Sequence, residues 1–213
     1  MYADATLSAM TLQFSQAVTY HRNLPADLWF DLENQGIPGA IIHSRLIGWD
    51  GEHVTIPVFS RDRKVLYFEY AAFDESGRLA VLPQERRQPY LYGEPTLNLN
   101  PQEVILTEGV MESLILSGQG FNALSATGDG FSFREEWAAF LRKIPNVFLC
   151  FKRRSESIQA ALGIRELVPG ARIVTLPPEV GQGGGLYGFF VELEETAADF
   201  RQLLTRAAAS PDA

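Results

Sequence analysis

Apolar side chains recur at helical spacing through residues 6–22, where Leu7, Met10, Phe14, Ala17 and Val18 share one face and polar residues take the other. Pro25 opens a second predicted helix that turns Leu28, Trp29 and Leu32 inward and ends at Gly36. Pro38 opens a short third one through Ile41 and Ile42. The rhythm then changes. Residues 55–59 and 65–71 are rich in β-branched and aromatic side chains and flank a polar turn at 60–64. A second turn, Glu75-Ser76-Gly77, leads to an apolar run at 79–82. These segments predict an antiparallel meander. Residues 83–100, with Pro83, Pro89 and Pro95, read as a connecting loop and divide the chain into 1–100 and 101–213.

Beyond Pro101 strands and helices alternate. Strands are predicted at 104–107, 122–125, 147–151 and 172–176. Between them fall helices at 109–117, from Ser132 with Trp137, Phe140 and Leu141 inward, and at 156–168. Ser132 and Glu135 have the spacing of a capping box. A flexible glycine-rich loop is predicted at 181–185. A closing helix at 194–208 points Phe200, Leu203 and Leu204 inward. Units of this length imply an α/β fold with a mostly parallel, right-handed sheet flanked by helices, preceded by a small α+β subdomain.

Composition narrows the function. The 213 residues are 46% hydrophobic, enough for a packed core. The net charge of −8 argues against a global nucleic-acid-binding surface but leaves room for a local basic patch. A single cysteine, Cys150, excludes an intramolecular disulfide and a Cys-rich zinc site, and a reducing cytoplasm suits it. No apolar run reaches the roughly 20 residues of a membrane span, and a signal-peptide pattern is not expected at the N-terminus. His21, His43 and His53 lack ligand spacing, so metal binding through them is not expected. Ser113 and Ser125 have no His partner in the pattern of a hydrolase.

The most informative stretch is 104–114, a buried strand that ends in Glu108-Gly109 and passes into a helix. A carboxylate there faces the crevice where open α/β sheets bind ligands. Taken alone, Glu108 also suits the dipole at a helix N-terminus. The stretch resembles the first motif of the TOPRIM fold of bacterial-type (DnaG-like) primases, topoisomerases and related nucleases. The resemblance covers roughly residues 27–177. It implies that Glu108 is the general acid/base or metal-site carboxylate, with Gly109 after it. Glu112 occupies the position where primases carry an Asp. Residues 123–128 resemble the second strand and its small-residue turn, with Gly128 and Asp129 as secondary site positions. The helices before Gly48 and the strand at 54–59 resemble the segment that precedes TOPRIM in primases.

The third strand departs from the family. The resemblance implies an Asp-x-Asp pair that holds divalent metal, whereas this strand runs into Lys152-Arg153-Arg154. Mg²⁺ takes carboxylate oxygen, while Lys and Arg offer only donors and repel it. Exchanging two anions for two cations changes the local charge by about four units. A later acidic position, near Gly183–Gly188, is also without an Asp, and the zinc module common in primases is not expected with one cysteine. No metal or other cofactor is therefore expected, and Mg²⁺ binding should be weak or absent. Lys152 or Arg154 is expected to pair with Glu108 or Glu112, as the positive centre that replaces the metal.

Bland readings stand beside these. Residues 152–154 also fit a solvated loop, Glu112 a helix surface, and Thr127–Gly130 a plain turn. Three functions follow. The first is a non-catalytic, primase-like pseudoenzyme that binds single-stranded DNA or RNA through Lys152, Arg153 and Arg154, or binds a replication, repair or mobile-element protein. The second is a metal-independent phosphoryl-transfer enzyme with Glu108 as base. The third is a nucleotide-binding sensor domain.

Overall fold

The computed structural model describes residues 13–84, 88–127, 133–181 and 183–209. The first described element is helix α1, over residues 13–22, followed by α2 (Ala26–Asn34) and α3 (Gly39–Ser44). Pro25 and Pro38 sit at the N-caps of α2 and α3, where extended backbone suits proline. Leu32 and Ile42 are buried. Leu7 and Met10 lie outside the described residues. Phe14 departs from expectation: it is 47% exposed, and Ala17 instead carries the buried face of α1. Gly48 lets α1 approach the next strand, because a β-carbon there would stand 2.3 Å from the Tyr20 carbonyl carbon.

Strands β1 (Gly48–Trp49), β2 (Val54–Phe59), β3 (Val65–Phe73) and β4 (Leu79–Val81) form a four-stranded antiparallel sheet in sequential order, the expected meander. The buried Gln35 fastens it to α2: its amide donates to the Gly77 carbonyl at 3.0 Å, and its oxygen accepts from the Leu79 N–H at 3.0 Å.

The second sheet has the order β5-β7-β6-β8-β9. Strands β6 (Glu103–Thr107), β7 (Ala123–Ala126), β8 (Asn146–Cys150) and β9 (Ala171–Ile173) run parallel. The stretch 83–100 is not simply a connecting loop. Leu91 and Tyr92 form β5, an antiparallel edge paired with β7, and Glu94–Leu99 is a 3₁₀ helix. The proline-rich surroundings hide a strand only two residues long.

Helices α4 (Val110–Gly118), α5 (Glu135–Leu141), α6 (Ser155–Leu167) and α8 (Ala197–Ala209) flank this sheet. Alternation sorts its residues: Val104 and Leu106 of β6 face one core with Trp137 and Ile164, while Ile105 faces the other with Leu114 and Phe200. The second core continues under the antiparallel sheet through Ile56 and Val58. The start of α5 differs from the predicted capping box. Arg134 is its N-cap and Glu135 its first residue, and Ser132 lies outside the described residues. Regular structure begins where the glycine-rich loop ends. The loop leads into α7 (Gly185–Tyr187) and a π-helical turn, Gly188–Glu192, which buries Phe189 and Phe190. Among the described residues no helix is long and apolar enough to cross a membrane.

Candidate functional site

Parallel strands β6 and β8 are neighbours in register, with Thr107 opposite Cys150. Their C-terminal ends therefore deliver Glu108 and the 152–154 segment to one crevice. Glu108 follows β6 directly, and Gly109 is the N-cap of α4. Arg154 is the N-cap of α6. The side chain of Glu108 is only 10% exposed and forms an ion pair with Arg154. Its carboxylate also accepts from the Ser157 hydroxyl at 2.7 Å and from the Lys152 backbone N–H at 3.2 Å. Burial alone pushes this carboxyl up. The hydrogen bonds from Ser157, Arg154 and the Lys152 backbone outweigh it and hold the group below the ordinary glutamate value.

Glu112 lies one turn into α4, and Lys152 Nζ stands 3.3 Å from its carboxylate. The Glu112 side chain is 14% exposed, so it is not the helix-surface residue that its sequence context suggests. Gly185 closes over this pair in a left-handed conformation (φ +54°). A β-carbon there would lie 3.2 Å from both the Lys152 stem and a Glu112 oxygen. Arg153 sits between the two paired cations and is partly exposed. A cleft of about 310 Å³ opens beside them, between the β3–β4 turn and α4, and is lined by Asp74, Arg78, Gly109, Glu112 and Lys152. Arg78 borders it, ion-paired with Glu192 and stacked 4.7 Å over the Tyr187 ring.

The structure thus brings Glu108, Gly109, Glu112, Lys152 and Arg154 together. Gly128 and Asp129 lie outside the described residues. Ser157 and Gly185 join the site without having been singled out. The only sequence signal for Ser157 is its place in the first turn after a strand end. Ser113 and Ser125 are buried, and their hydroxyls have no partner among the described residues. His21 and His43 do meet, at 3.1 Å, although their spacing gave no hint of it; His21 donates its other ring N–H to the Ile47 carbonyl at 2.7 Å.

The donor set does not fit a divalent metal. Where the resemblance implies two carboxylates there are two cations, each engaged by one of the acids that would otherwise serve as ligands. Among the described residues no group of three or more His, Cys, Asp or Glu is placed to hold an ion.

Glu108→Gln tests this network through pH. A carboxyl held below its unfolded value stabilises the fold above the ordinary glutamate value and loses that contribution as pH falls through its folded value. The variant is expected to be less stable at pH 7 by about 1–3 kcal/mol. In thermal melts from pH 7 to pH 3, that gap should close on the acid side.

No protein-family model and no curated protein matches the chain. Solved structures do. The DnaG primase catalytic domain bound to single-stranded DNA matches with a TM-score of 0.74 and 19% identity, over 96% of this chain and 83% of that one. The RNA polymerase domain of Mycobacterium tuberculosis primase DnaG, in complex with double-stranded DNA, matches with a TM-score of 0.72 and 13% identity, over 92% and 80%. The Aquifex aeolicus primase, with its zinc-binding and RNA polymerase domains, matches with a TM-score of 0.70 and 17% identity. The match covers 90% of this chain but 59% of that one. The two-sheet arrangement, an antiparallel sheet beside a mostly parallel one flanked by helices, is the fold of the DnaG-type primase catalytic core.

Proposed function

We propose that this protein is a non-catalytic, primase-like protein that binds single-stranded nucleic acid at the Glu108 crevice, in the cytoplasm and in the service of replication or repair. The observation that carries this reading is the pair of salt bridges, Arg154–Glu108 and Lys152–Glu112, at the strand ends where metal carboxylates are implied. They hold two cations at the strand ends, beside the two acids. Arg153 leaves the cluster with one more cation than carboxylates, on a chain of net charge −8. The solved primase structures that hold single- and double-stranded DNA support the choice of ligand. Phosphoryl transfer with Glu108 as a metal-free base is less well supported, because a carboxylate held down by Arg154, Ser157 and the Lys152 backbone is a weak base.

Fluorescence anisotropy with a labelled single-stranded DNA oligonucleotide over a salt series tests the reading. If Lys152, Arg153 and Arg154 each meet a phosphate, affinity should fall by about a hundredfold for a tenfold rise in salt. Lys152→Glu should weaken binding further. Binding that ignores salt, or no binding at all, contradicts the nucleic-acid role. Primer synthesis with Mg²⁺ or Mn²⁺ contradicts the loss of catalysis.

A further inference from the structure

A second cavity lies at the opposite end of the sheet from the Glu108 crevice. It has a volume of about 630 Å³ and is bounded by α1, the end of α3, the β2–β3 turn and the approach to β7. Phe121 and Asn122 place it at the N-terminal ends of the parallel strands, opposite the Glu108 end of the sheet. Its volume falls in the range of small-molecule sites. Phe14, Phe59 and Phe121 supply aromatic surface, and Phe14 is the exposed aromatic of α1. Arg45 and Arg63 also line it, and among the described residues no Asp or Glu does. Four arginines, Arg78, Arg134, Arg154 and Arg201, are engaged in salt bridges elsewhere; Arg45 and Arg63 form none among the described residues.

Two backbone features point to the same cavity. Helix α3 ends with the Ile47 N–H on the Ile42 carbonyl and the Leu46 N–H on the His43 carbonyl. This closure puts Leu46 in the left-handed region, φ 52°. The β2–β3 turn is closed by the Arg63 N–H on the Ser60 carbonyl and the Ser60 N–H on the Lys64 carbonyl, and it puts Arg63 at φ 62°. Glycine is the residue of least cost at both places. Leucine and arginine stand there instead, and both line the cavity. Local backbone preference is overridden where a side chain has other work.

We infer that this cavity binds a small amphipathic organic anion: a flat apolar body that packs against the phenylalanines and carries one carboxylate, sulfonate or phosphate that Arg45 and Arg63 engage. An unpaired guanidinium suits such an acid group, and the missing carboxylates remove the repulsion that the chain's net charge would otherwise impose.

The test is a fluorescence titration of the full chain with 8-anilinonaphthalene-1-sulfonate, an aromatic sulfonate, beside its uncharged counterpart N-phenyl-1-naphthylamine. Saturable one-to-one binding of the sulfonate is expected, with the uncharged compound weaker by about tenfold. Arg63→Gly should weaken sulfonate binding by about tenfold while leaving the melting temperature unchanged or raised, since glycine relieves the left-handed residue. Arg45→Gln should weaken it similarly. No sulfonate binding, equal binding of the uncharged compound, or binding unchanged in both arginine variants would overturn the inference. Displacement of the sulfonate by a single-stranded DNA decamer would also overturn it, and would mark the cavity as part of a polymer groove. The site's failure would leave the anisotropy result at the Glu108 crevice untouched.

Discussion

Lys152→Asp combined with Arg154→Asp is expected to destabilise the protein in the absence of divalent metal and to make its stability respond to Mg²⁺. The double change removes both salt bridges and adds two carboxylates beside Glu108 and Glu112, whose side chains are 10% and 14% exposed. Four acids then share a crevice that burial and hydrogen bonding had balanced. Breaking a buried pair from one side costs about 3–5 kcal/mol. Arg154 is 52% exposed and Lys152 28%, so solvent screens both pairs, and the expected loss for the two together is about 2–4 kcal/mol. For a chain of this size that is a fall in melting temperature of about 5–15 °C. Mg²⁺ should then stabilise the variant. With millimolar affinity and about 10 mM Mg²⁺, mass action returns about 1.4 kcal/mol, while the parent protein should not move. Melts of both proteins with and without Mg²⁺ give the answer. A variant as stable as its parent would show the salt bridges to be inert. A destabilised variant that ignores Mg²⁺ would show that the strand ends no longer converge on metal geometry.

Whether a feature was legible in the sequence depended on how local its cause is. Strands β6 and β8 announced themselves as apolar runs, because a strand covered on both faces must be apolar at nearly every position. The meander showed itself through its turns. Strand β5 did not, because two residues carry no period and their pairing with β7 is a long-range fact. The helical stretch from Gly185 to Glu192 was hidden by glycines that ordinarily signal a loop, though Phe189 and Phe190 are its buried face. Capping shows the same limit. The Ser132–Glu135 pattern does not start α5, whereas Thr196 and Asp199 do start α8. There the Asp199 carboxylate accepts from the Thr196 N–H at 3.0 Å, and the Thr196 hydroxyl accepts from the Asp199 N–H at 3.3 Å. Both segments fit the spacing, and only the packing that follows each decides between them.

The candidate site divides in the same way. Glu108, Lys152 and Arg154 were legible because a strand end fixes where its next residues go, and their opposite charges stand in the sequence itself. The pairing of Arg154 with Glu108 and of Lys152 with Glu112 follows from electrostatics once β6 and β8 are neighbours. Ser157 and Gly185 could not be read. One acts through a helical turn that brings its hydroxyl back to Glu108. The other arrives from a segment far along the chain, where lack of a β-carbon matters only because Lys152 is already there.

Phe200→Ala should cause the largest loss of stability of any single change proposed. Phe200 is fully buried on α8, and its ring centroid lies 5.1 Å from that of Phe121, 5.8 Å from Phe189 and 5.6 Å from Phe190. These rings come from the approach to β7, the π-helical turn and the C-terminal helix. Truncation therefore opens a void where three distant segments meet, each anchored by the strand or helix it belongs to or adjoins. A buried Phe→Ala change costs about 3–5 kcal/mol from transfer and cavity together, or about 6–20 °C in melting temperature. Phe200→Leu keeps most of the volume and should cost less than half as much. Because the cluster belongs to the core that also holds Leu114 of α4, loss of Phe200 should loosen the helix that carries Glu112 as well. Native-state hydrogen exchange should then show faster exchange of the α4 amides in Phe200→Ala, in step with those of α8. If only α8 amides change, the C-terminal helix is an independent unit and does not stabilise the crevice.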